Sequence, residues 1–203
     1  IGTLVCMPIV GRLVGRWNPR YMIMLGFGLA ALALFKMSDY TLDISFWQVA
    51  FPRVYLGTGL AFIFVPLATA TFAFVPDEKT GNATGMFNLM RNIGGSFGIA
   101  AATTVLATRS QFHQFRLVGN VTPLSPGFVQ WQDVVLSRLI AVGQPPASAQ
   151  HTALGIAYKV VGTQAGWMSF VDAFWLAGVL MLALIPLVLM LHAPPTGRSG
   201  LSA

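Results

Sequence analysis

The chain is poor in cysteine and poor in charge. Cys6 is the one cysteine among 203 residues, so no disulfide can close within the chain and no thiolate cluster can hold a metal. Asp, Glu, Lys and Arg make up only 9% of it, against roughly 25% in an ordinary soluble domain. Twelve basic and six acidic side chains cannot cover the wet surface that a soluble domain of this length exposes. A hydrophobic fraction of 55% and a mean hydropathy of +0.70 exclude a disordered chain as well. Composition therefore points to a protein whose solvent is lipid.

Catalytic groupings are also missing. There is no HExxH, no CxxC, no phosphate loop and no Ser-His-Asp arrangement. His113, His151 and His192 stand at no ligand spacing. The string GGSFG at 94–98 lies inside an apolar run and lacks the lysine of a phosphate loop. No enzyme, cofactor or metal site is expected, and no short-period repeat is visible. The chain opens on Ile1 within an apolar run, so it reads as a piece of a larger protein.

What is there is a series of long apolar runs. Residues 1–11 read as the tail of a helix. Residues 21–38, 46–75, 81–107 and 164–191 read as complete spans. They are far longer than the roughly 9 to 11 residues of a barrel strand. Lipid offers exposed amides no partner, so each span must satisfy its own backbone as a helix. The expected fold is an all-α membrane bundle. Residues 108–163 read as a long external loop with one or two short amphipathic helices. The net charge of +6 comes from basic residues at the edges of apolar runs, as retention of Lys and Arg on the cytoplasmic side predicts, and does not suggest nucleic acid. Arg12, Arg16 and Arg20 place their loop inside. By alternation 38–45 is external, 76–81 internal and the tail internal.

The few polar residues within the spans are the candidate site. A charge at membrane depth is costly unless paired or hydrated, so each marks a functional site or a structural lock. Arg53 and Asp172 both enter their spans from the outer side, which predicts a direct or water-mediated pair, either a gate or a static tie. Arg91 lies about ten residues into its span, near mid-membrane. With Asn88 and Asn92 it forms a polar stripe, either a cavity wall and switch or an interhelical hydrogen-bond network. Gly57 and Gly59, Gly81 and Gly85, and Gly94, Gly95 and Gly98 invite close helix packing. Pro66 should kink its helix.

These residues resemble a known family. GRLVGRWNPR at 11–20 is similar to the second-half loop pattern of the major facilitator superfamily, with Gly11, Leu13, Arg16 and Arg20 matching, and with Gly15 and Asn18 in place of its Asp and Gly. Residues 52–100 and QAGWMSFVDAFW at 164–175 resemble the EmrB/QacA-type fourteen-helix drug:proton antiporters. Arg53, Gly57, Gly59, Pro66, Gly81, Gly85, Asn88, Arg91, Gly94, Gly95, Gly98 and Asp172 carry that likeness. The resemblance implies the C-terminal part of an inner-membrane exporter of hydrophobic or amphipathic drugs, driven by protons through alternating access. It implies partners as well: the missing N-terminal part, lipid, protons, and in Gram-negative cells a periplasmic membrane-fusion adaptor and an outer-membrane channel. A narrow-range metabolite or siderophore exporter, and a membrane structural or assembly subunit without transport, are the competing readings.

Overall fold

The structure, a computed structural model, describes residues 2–14, 17–41, 45–73 and 75–190. All regular elements among them are helical. They are α1 (Gly2–Val14), α2 (Pro19–Ser38), α3 (Phe46–Phe72), α4 (Thr80–Val118), α5 (Pro126–Ala141) and α6 (Pro146–Leu189). A single 3-10 turn, Asp77–Lys79, leads into α4. Of these, α2, α3 and α6 are both long and apolar enough to cross a membrane. The 39-residue α4 has the length, but Asn82, Asn88, Arg91 and Asn92 make it more polar.

Local chemistry explains the helix ends. Asn18 precedes α2 in extended backbone and its side chain accepts from the Arg20 amide at 3.3 Å. Pro19 follows at the first helical position, where a missing amide hydrogen costs nothing. Asn18 thus caps a helix where the loop pattern has glycine. At the start of α3 the Ser45 amide donates to Gln48 Oε1 at 2.9 Å, half of a capping box. Helix α5 ends in a Schellman turn: Gly143 takes φ +94°, its amide reaches Ile140 O at 2.9 Å, and the Gln144 amide reaches Leu139 O at 3.1 Å. Pro145 and Pro146 then open α6.

The chain divides into two units, residues 1–98 with 174–203, and residues 99–173. In the first, α3 packs against both α1 and α2. Val10, Met22 and Ala61 form a buried cluster, flanked by Cys6, Leu13, Val14, Phe62 and Val65. Cys6 Sγ lies 3.5 Å from Thr58 Oγ1. Helices α2 and α3 meet backbone to backbone at Gly26 and Gly59. A β-carbon on Gly59 would stand 2.8 Å from the Gly26 carbonyl oxygen and 2.9 Å from the Ala30 amide. The C-terminal half of α6 joins this unit through Gly178, which lies against the Phe35 ring. Pro52 and Pro66 are both buried inside α3, and the helix continues through them.

In the second unit α6 presents a row of small residues, Ala149, Ala153, Ala157, Val161, Ala165 and Ser169, all buried. Their spacing of four follows one inclined ridge of the helix. Phe128 and Trp131 of α5 line a crevice with Ala157 and Val161 of this row, and Ser110, His113, Gln114 and Leu117 on α4 and Gln132 and Val135 on α5 are partly covered.

Two boundaries differ from the sequence reading. The backbone of α4 passes 107 and stays helical to Val118, and α6 begins at Pro146 rather than near 164. Residues 108–163, read as a long loop, are therefore mostly helix. Hydropathy marks where lipid fits, whereas the backbone bonds of a helix form equally well beyond that limit.

Candidate functional site

The polar stripe on α4 is longer than Asn88, Arg91 and Asn92. Thr80, Thr84, Asn88, Asn92 and Ser96 follow one another at intervals of four, so they form one inclined ridge in which neighbours touch and which winds about 160° round the helix, centred on Asn88. Their hydroxyls are satisfied within the helix: Thr84 Oγ1 donates to Thr80 O at 2.8 Å and Ser96 Oγ to Asn92 O at 3.0 Å. Bonded back in this way, a hydroxyl is cheap in an apolar setting. At 100° per residue Arg91 lies beside this row, while Met86, Met90 and Phe97 lie opposite. Among the described residues, the Asn88 and Arg91 side chains form no hydrogen bond or ion pair, and both are exposed. A guanidinium in such a helix requires water, an anion or a further helix. The full row escapes a reading by hydropathy, because its signal is a period of four in small polar residues, which averaging hides.

The glycines of α4 share this openness. A β-carbon at Gly81, Gly85, Gly94, Gly95 or Gly98 would meet no atom within 4 Å. Gly59, by contrast, is at the α2–α3 crossing, and its partner Gly26 is absent from the sequence-based candidates. The small-residue spacing Gly26–Ala30 is the signal that could have found it. Gly57 is half-buried on α3.

Arg53 lies exposed on α3, two turns from its start. Its charge acts on Tyr40, in the α2–α3 connection. Burial raises the Tyr40 hydroxyl above the ordinary tyrosine range, and the Arg53 guanidinium partly offsets this. Tyr40 Oη donates to Gln48 O at 3.2 Å. Around it Lys36, Asp39, Trp47, Phe51 and Tyr55 line a cavity of about 520 Å³. The Trp47 and Phe51 rings lie 5.7 Å apart. A second, apolar crevice of about 390 Å³ runs between α2, α3 and α6, lined by Ile23, Phe27, Ile63, Leu67, Leu184 and Val188. Its volume is in the range of small-ligand sites.

Asp172 takes its cations from α4. Its Oδ2 lies 2.8 Å from His113 Nε2 and 3.7 Å from Arg109 Nε. The partner expected from sequence is Arg53. Ending the third helix at 107 leaves out the turns that carry Arg109 and His113 alongside α6. The contact also sets His113 and Asp172 at one depth. The loop motif is only partly visible: Gly11 and Arg12 are exposed in the last turn of α1, Arg20 is half-buried at the start of α2, and Arg16 lies outside the described residues. Among the described residues no group of His, Cys, Asp and Glu could hold a metal ion.

Comparison with known proteins adds to this geometry. The family model described as Major Facilitator Superfamily matches residues 1–119. The chain is 27% identical over 199 residues to the multidrug export protein EmrB of Escherichia coli, covering 97% of this chain and 37% of that protein. It is 26% identical to the colistin resistance protein EmrB of Acinetobacter baumannii, over 86% of this chain and 33% of the relative. It is 26% identical to the fatty acid resistance protein FarB of Neisseria gonorrhoeae, over 95% of this chain and 36% of the relative. The chain therefore spans little more than a third of the length of these relatives. No solved structure matches it.

Proposed function

Because this chain belongs to the Major Facilitator Superfamily, a family of multi-pass membrane transporters and not of enzymes, we propose that it is the C-terminal part of a proton-driven exporter of hydrophobic or amphipathic compounds. The observation that carries this reading is the polar row of α4 with Arg91 beside it. A helix that sets an amide-and-hydroxyl face against an apolar one suits the wall of a wet cavity inside a bundle. The names of the relatives, one for multidrug export and one for fatty acid resistance, support this reading. In alternating access two bundles rock about a central site, and the remainder of the full-length protein would supply the second bundle. The bacterial inner membrane is the setting this implies. A periplasmic membrane-fusion adaptor and an outer-membrane channel would complete the route across a Gram-negative envelope.

A narrower exporter is the second reading, and Arg91 favours it. One guanidinium flanked by two amides suits the carboxylate of an anionic amphiphile, while the apolar crevice of α2, α3 and α6 suits its hydrocarbon part.

The experiment is a susceptibility panel in cells expressing the full-length protein, with and without a proton uncoupler. The expected result is resistance to several hydrophobic compounds, abolished by the uncoupler. Arg91→Ala should reduce it by about tenfold, as loss of a charge-assisted hydrogen bond predicts. Export that survives uncoupling would defeat the proton-driven mechanism. Resistance confined to anionic amphiphiles would select the narrower reading.

A further inference from the structure

We propose that His113, Asp172 and Arg109 form a proton-binding clamp that ties the C-terminal turns of α4 to α6. Imidazole is the side chain whose charge ordinarily changes between about pH 5 and 8. Here it stands 2.8 Å from a carboxylate on another helix, and its side chain is 18% exposed against 33% for Asp172. The pair is thus partly sheltered on the imidazole side and more open on the carboxylate side. Arg109, 54% exposed and 3.7 Å away, is the weaker tie.

The surroundings single out this one interaction. On α4 the neighbouring charges are Arg109 and Arg116, which lies over the Phe112 ring at 4.6 Å. Phe112 in turn meets the His113 ring edge-on at 5.6 Å. On α6, Asp172 is the sole titratable residue from Val160 to Leu189. Helix α5 carries Asp133 and Arg138, and among the described residues neither joins an ion pair with this group. Among the described residues, the ion-paired part of the α4–α6 contact is thus one carboxylate with one imidazole and one guanidinium.

The sign follows directly. A proton taken from solvent makes the imidazole cationic, and the hydrogen bond to Asp172 becomes charge-assisted, roughly twice as strong as a neutral one. Loss of that proton leaves a neutral imidazole and a looser tie. The clamp tightens in acid and loosens as pH rises. The tie needs no transport to exist. Its consequence for export, a pH-dependent restraint on α4, rests on the reading proposed above.

Amide hydrogen exchange on the full-length protein in detergent tests it, with rates corrected for intrinsic pH dependence. In the wild type, protection of residues 108–118 should fall about two- to fivefold between pH 5.5 and 8, the span of a partly exposed ion pair. His113→Lys should hold protection across that range. His113→Gln and Asp172→Asn should show the low level throughout. The Gly26–Gly59 seam serves as the fold control. A flat wild-type profile, or a His113→Gln profile matching the wild type, would overturn the clamp. An intact exchange profile in a protein that exports nothing would sustain the clamp and remove the export reading instead.

Discussion

Pro52 has no amide hydrogen to give, so the Gln48 carbonyl one turn earlier loses its helical partner. The Tyr40 hydroxyl takes that place at 3.2 Å. A phenol that must donate is held protonated by its surroundings, and burial pushes Tyr40 in that direction while Arg53 opposes it. The folded form binds the phenolic proton more tightly than the unfolded chain does. Stability from this contact is thus present below the ordinary tyrosine range and is lost as pH rises through the elevated folded value. Two outcomes follow. In ultraviolet titration of the full-length protein, Arg53→Gln should move the Tyr40 transition further up, because the opposing cation is gone. Tyr40→Phe should destabilise by about 0.5–1.5 kcal/mol in thermal unfolding, the net worth of one hydrogen bond. A Tyr40 transition that shifts down in Arg53→Gln would contradict the coupling. At this scale Asp172 and Arg91 were legible, because a charge in an apolar run is conspicuous. His113 and Arg109 were not, because they follow the run and look like ordinary loop residues.

Among the elements, the α2–α3 pair is the most tightly defined. Gly59→Ala places a β-carbon within 2.9 Å of backbone on α2 that cannot turn aside. We expect a loss of about 1–3 kcal/mol, the cost of overpacking, read as a lowered unfolding temperature. Gly28→Ala, on the same helix pair with no atom within 4 Å, should be neutral or slightly stabilising. Equal effects at both positions would show that helix propensity, and not the crossing, sets the result. The order and type of the elements were legible in sequence, since each apolar run became a helix. Their ends were less so. TRSQFHQFRLV at 108–118 is polar enough to leave lipid yet contains no proline or glycine to stop a helix. The start of α6 was marked only by Pro145 and Pro146, which a loop accommodates just as readily.

At the scale of the molecule, the question is which faces meet water. Cys6 is the sole thiol of these 203 residues, so in a full-length protein carrying Cys6→Ala and cleared of cysteines elsewhere, single cysteines can report each position of α4. Cysteines at Thr84, Asn88, Asn92 and Ser96 should react with a membrane-impermeant thiol reagent. Those at Met86, Met90 and Phe97, roughly 160° to 200° around the helix from Asn88 at the middle of the row, should react at least about tenfold more slowly than the cysteine at 88. Uniform reactivity, or none, would remove the cavity wall from α4. The sequence could suggest a cavity but not its extent, because spacing reveals which residues share a face and says nothing of what stands across from it.

The contact of Gly26 with Gly59 has a mechanical consequence. Most helix seams yield by swapping side-chain rotamers, a soft mode that lets one helix slide past another. Here main chain rests on main chain, so sliding by one residue would drive the next β-carbon into a carbonyl. Helices α2 and α3 should consequently travel as a single stiff lever through any working cycle. The compliance that such a cycle needs must then lie in other helices.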